Sequence, residues 1–117
     1  MNIEALREIC LGLPGVAEDV KWGADLCFLV GAKMFCVTGL EGEPGVSFKV
    51  GEDEFEELSA SHAIIPAPYM ARNKWVQVKA WDRLTRHEWE SYVKQSYELV
   101  KAKLPKRIQK EIEASQV

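Results

Sequence analysis

Residues 26–38 read LCFLVGAKMFCVT, two β-rich runs on either side of Gly31-Ala32. A two-residue loop between such runs marks a β-hairpin, and glycine in its first position suits a type II′ turn. The turn sets the register, with Val30 opposite Lys33, Leu29 opposite Met34, Phe28 opposite Phe35, Cys27 opposite Cys36 and Leu26 opposite Val37. One face then carries Leu26, Phe28, Val30, Phe35 and Val37. The other carries Cys27, Leu29, Met34, Cys36 and Thr38. Both faces are largely apolar, so the hairpin is expected inside a sheet rather than at its margin.

The flanking segments supply the rest of a two-layer α+β fold. Asn2 caps a helix over Ile3 to about Leu11, with Leu6, Ile9, Cys10 and Leu13 at helical spacing and Gly12 and Pro14 ending it. A short extended piece follows at Asp19 to Trp22. After a loop over Gly39 to Gly45, Val46, Phe48 and Val50 alternate with Ser47 and Lys49 as a strand with one buried face. The acidic run EDEFEEL suits a helix from Glu52 to about Ala60, its carboxylates at the positive end of the helix dipole and Phe55 and Leu58 inward. Pro66 and Pro68 limit Ile64 to Met70 to a brief extended piece and a loop. Lys74 to Lys79 is a strand near a sheet edge, with Val76 and Val78 on one face and Trp75 and Gln77 on the other. Thr85 and Glu88 form a capping box for the longest helix, whose inner stripe is Trp89, Tyr92, Val93, Ser96, Val100 and Leu104. Pro105 interrupts it, and Ile108 and Ile112 mark one more short helix before a polar end.

At 117 residues, 47% hydrophobic and 28% charged, the sequence has the composition of a single globular domain over residues 1–117, neither disordered nor fibrous. It offers no apolar run of bilayer length and no signal-peptide pattern, so a cytoplasmic protein without a membrane partner is expected. Cys10, Cys27 and Cys36 form no C-x-x-C and read as small buried hydrophobes. Residues 1–71 carry 4 Lys/Arg and 12 Asp/Glu, a balance of −8, whereas residues 72–117 carry 11 and 6, a balance of +5. Such asymmetry fits an anionic partner, or two parts of one domain that attract each other.

The blocks LPGVAEDVKWG, LCFLVGAKMF, VSFKV, EDEFEEL, IIPAPYMARNKWV and SYELVKAKLPK, in this order and spacing, resemble the MmcQ/YjbR family of small bacterial proteins over about residues 3 to 106. The resemblance implies an antiparallel sheet with helices packed on it, of the secretion-chaperone type. It also implies a double-wing arrangement, with DNA binding as its proposed role, and no catalytic residues. Where similar sequences often place an aromatic residue or a histidine before the tryptophan of the NKWV block, this chain has Asn73-Lys74.

Enzyme chemistry has little support in the residues. His62 and His87 stand in no ligand or nucleophile pattern, and no Walker loop, G-x-S-x-G or H-E-x-x-H occurs. The acidic cluster at Glu52 to Glu57 lacks the spacing of a calcium loop, so no metal and no cofactor are expected. Three binding roles remain open. Arg72, Lys74, Lys79, Arg83 and Arg86 are candidates for contacts with DNA, against an overall pI of about 5.4. The second apolar sheet face, with Cys27, Leu29, Met34 and Cys36, is a candidate surface for a protein partner or a second copy of the chain. Trp22 and Trp75, each beside a lysine in an extended segment, are candidates for a small-ligand pocket.

Overall fold

A computed structural model describes residues 1–41 and 45–114, so residues 42–44 of the expected loop and the polar end lie outside the described residues. The elements run α1 (Ile3–Leu11), β1 (Val16–Lys21), β2 (Asp25–Val30), β3 (Lys33–Gly39), β4 (Val46–Lys49), α2 (Glu52–Ser59), β5 (Ile64–Pro66), β6 (Trp75–Val78), α3 (Arg86–Lys101) and α4 (Lys106–Ala114). The strands form one antiparallel sheet in the order β1-β2-β3-β4-β6-β5. The fold class is the expected one. β1 is longer than its sequence signal, because pairing along all of β2 compensates for its exposed polar residues. The Pro66-bearing β5 is the edge strand, where a missing N–H is tolerated.

Helix termini follow their local chemistry. The Asn2 side chain accepts from Ala5 N–H at 2.8 Å. Thr85 Oγ1 accepts from Glu88 N–H at 3.1 Å while Glu88 Oε1 accepts from Thr85 N–H at 2.9 Å, closing the capping box. All four helices contribute to one apolar cluster on one side of the sheet. Leu6 and Cys10 come from α1, Phe55 and Leu58 from α2, Trp89, Val93 and Tyr97 from α3, and Ile108 and Ile112 from α4. They meet Leu26, Phe28, Val30, Val46, Phe48, Val76 and Val78 of the strands. Phe48 lies edge-on to Trp89 at 6.3 Å and stacks on Tyr92 at 5.8 Å. Arg7 on α1 grips Glu18 on β1 with two parallel bonds of 2.9 and 2.6 Å, which lowers the Glu18 carboxyl pKa.

The central hairpin departs from the expected register in two ways. Gly31 and Ala32 both have positive φ, +56° and +66°, so the turn has the I′ pattern rather than II′. A β carbon on Gly31 would stand 2.6 Å from Leu104 Cδ1, so the turn is also wedged against the α3–α4 junction. The pairing Val30↔Lys33 and Leu29↔Met34 is as expected, but the next pairs are Phe28↔Cys36, Cys27↔Val37 and Leu26↔Thr38. Phe35 is the extra residue of a β-bulge.

The bulge exchanges faces. Cys36 and Thr38 turn to the helix side, opposite Phe48 and Val46, and Val37 turns to the other side, between Cys27 and Ser47. Phe35 stays with the core and meets Tyr97 edge-on at 5.5 Å. Cys27 and Cys36 are therefore not cross-strand partners. Cys36 instead lies beside Cys10, where hydrogen bonding between the thiols and then burial raise the Cys10 pKa. The bulged backbone is held from α3. The buried Ser96 hydroxyl donates to Phe35 C=O at 2.6 Å and accepts from Lys49 N–H at 2.9 Å.

Replacing Ser96 by Ala leaves a buried carbonyl and a part-buried N–H unmatched, a loss of about 1–3 kcal/mol. Urea unfolding of Ser96→Ala is the check; a change within about 0.5 kcal/mol would mean that water replaces the hydroxyl.

Candidate functional site

The face of the sheet away from the helices alternates with the core face along β2, β4 and β6, and along β3 apart from the bulge at Phe35. It carries Asp25, Cys27 and Leu29 of β2, Met34 and Val37 of β3, Ser47 and Lys49 of β4, and Trp75 and Gln77 of β6. A cavity of about 570 Å³ lies over its middle, and among the described residues none from a helix lines it. Met34 and Val37 form the apolar part of its floor, and Asp25, Ser47 and Gln77 bring a carboxylate, a hydroxyl and an amide to it. Its walls come from opposite sides of the sheet. Trp22, in the loop joining β1 to β2, stands on one rim, and Pro68, Tyr69 and Met70, in the loop after β5, on the other.

Both rim aromatics are set out into solvent. Trp22 is 73% exposed and Tyr69 fully so. Both also hold positive φ, 53° and 65°, a region that bulky residues enter at a cost of about 1–3 kcal/mol. Glycine or asparagine would occupy either position more cheaply. Neither ring gains core burial in return.

A second cavity, of about 310 Å³, opens at the end of the same face where α3 gives way to α4. Lys33, Lys49 and Lys103 line it with Asn73, and Trp75, Val100 and Leu104 give it apolar walls. Lys49 Nζ donates to Asn73 C=O at 2.6 Å. Burial, and then the charge of Lys103, lower the Lys49 pKa from its ordinary value. Met34 is common to the two cavities.

The two tryptophans singled out in the sequence thus serve different places. Trp22 is a rim of the larger cavity, whereas Trp75 is 6% exposed and forms a wall of the smaller one. Tyr69 escaped the sequence reading; its signal is an aromatic residue directly after a proline in a segment with no strand pattern. The five basic residues proposed for DNA are dispersed. Lys74 Nζ sits 5.0 Å above the Phe55 ring, Arg83 donates to His62 C=O at 2.8 Å, and Arg86 pairs with Glu90 at 2.9 Å and Glu8 at 3.8 Å. Arg72 and Lys79 lie beyond opposite ends of β6. Among the described residues no group of three or more His, Cys, Asp or Glu is placed to hold a metal ion, and no helix is long and apolar enough to cross a membrane.

An antiparallel sheet with helices on one face and a lined groove on the other defines an α+β domain with one open side. The family model YjbR matches residues 11–99, and the chain belongs to that family. Among solved structures it is similar to the Deinococcus radiodurans protein DR2400, which carries a DUF419 domain, at 27% identity and a TM-score of 0.85 over 95% of this chain and 87% of that one. It is also similar in fold to a protein from Pseudomonas syringae, at 19% identity and a TM-score of 0.71 over 85% of this chain and 98% of that one. A search of curated proteins finds no match.

Of the four tryptophans, Trp22 alone is largely exposed. Acrylamide quenching of native fluorescence should therefore fall sharply in Trp22→Phe. Equal quenching in both proteins would place Trp22 inside rather than on the rim.

Proposed function

We propose that this protein is a small-molecule-binding module that holds a flat, mainly apolar ligand on the open sheet face between Trp22 and Tyr69. The observation that carries the reading is the pair of exposed rings in unfavourable backbone conformations on opposite rims of one groove. Its volume, about 570 Å³, falls in the range of ligand pockets, about 300–1,000 Å³. Its chemistry also fits the general pattern of such pockets, an apolar lining with a few polar groups that fix orientation. Asp25, Ser47 and Gln77 are those groups. Two rings on separate loops suit a planar body, since aromatic faces hold flat apolar surface at little conformational cost.

A nucleic-acid role for Arg72, Lys74, Lys79, Arg83 and Arg86 draws support from the basic balance of residues 72–117. It has less support in geometry, because three of the five side chains are engaged within the protein. Self-association through the open face is the other alternative, and it would cover the same rings.

The test uses N-phenyl-1-naphthylamine, an uncharged planar fluorophore, with wild type, Trp22→Asn and Tyr69→Asn. Wild type should give saturable one-to-one enhancement. Each variant should weaken it about tenfold or more while thermal stability stays level or rises, because asparagine relieves the positive φ. Unchanged affinity in both variants would remove the groove from the account. Dimers dissociated by Trp22→Asn would favour self-association, and salt-dependent binding of duplex DNA would favour the nucleic-acid reading.

A further inference from the structure

Three lysines line the smaller cavity from three separate parts of the chain. Lys33 follows the hairpin turn, Lys49 ends β4, and Lys103 lies just past α3. Among the described residues no carboxylate lines this cavity. None of the three lysines forms an ion pair with a described residue, although the protein carries 18 Asp and Glu. Here Lys49 is half-buried, and its head is fixed by Asn73 C=O with donor capacity to spare. Its backbone is pinned by Ser96. The charge of Lys103 acts on the half-buried Lys49, an arrangement that is unfavourable without an anion to offset it.

We propose that this cavity is a binding site for a small organic phosphate monoester, its phosphate held by Lys33, Lys49 and Lys103 and its organic part against Trp75, Val100 and Leu104. The choice of phosphate follows from the donors. Ammonium groups on flexible stems act as point charges that can surround a tetrahedral dianion, and the cavity has no guanidinium fork of the kind that matches a planar carboxylate. The choice of an organic ester over the free ion follows from the walls, which offer apolar surface that inorganic phosphate would leave unused. The site stands apart from the groove between Trp22 and Tyr69 and meets it only at Met34.

Phenyl phosphate, benzoate and inorganic phosphate, titrated calorimetrically into the intact protein at low and moderate salt, test the proposal. Phenyl phosphate should bind more tightly than either of the others, and added salt should weaken it. Lys33 and Lys103 are exposed, so the Lys33→Ala/Lys103→Ala double variant should fold normally and lose about tenfold or more in affinity. Lys110→Ala, outside the cavity, should lose nothing. Trp22→Asn should leave phenyl phosphate binding intact, which separates this site from the groove. Absence of binding to wild type, equal affinity for benzoate, undiminished affinity in the double variant or loss in Trp22→Asn would each overturn it.

Discussion

The Ser96 hydroxyl is the contact on which the two faces of this protein depend. It donates a hydrogen bond to Phe35 C=O and accepts one from Lys49 N–H, so one buried group on α3 satisfies backbone on two neighbouring strands. A bulge inside a sheet disrupts its ladder locally, and backbone groups freed there need other partners. The serine provides for the bulge at Phe35. It can do so because α3 lies across β3 and β4, with Tyr97 against Phe35 and Trp89 and Tyr92 against Phe48.

What the bulge decides is the content of each side of the sheet. A strand side chain changes face with a one-residue slip. With the extra residue in β3, Cys36 and Thr38 join the core and Val37 joins Ser47 and Gln77 on the open floor. The same clasp fixes the backbone of Lys49, which carries its ammonium group to the end of the open face. Fold and candidate sites are thus set by one arrangement. The helix side holds the molecule together, and the open side keeps Trp22 and Tyr69 in conformations that the rest of the structure must offset.

Much of this was legible in the sequence. The helix caps at Asn2 and Thr85, the inner stripe of α3 as far as Val100 and the two faces of β4 and β6 are local signals that correspond to the structure, whereas Leu104 lies past the end of α3. The bulge was not legible, because its cause lies 61 residues away in a serine that reads as one more member of a helical stripe. The turn type was missed because Ala32, with a φ of +66°, carries no glycine signal for that conformation. Trp22 was a recognisable candidate as an aromatic residue beside a lysine. The loop that faces it across the groove, and the shared cavity of Lys33, Lys49 and Lys103, arise only from the tertiary arrangement, which brings together segments far apart in the chain.

Thiol labelling of Val37→Cys and Thr38→Cys under native conditions, each compared with wild type, tests the exchange of faces most directly. The bulged register requires the thiol at 37 to react readily from the open side, and the thiol at 38 to react only as fast as the protein unfolds. The reverse order, with 38 reactive and 37 protected, would mean a straight hairpin and would take the floor of the groove with it.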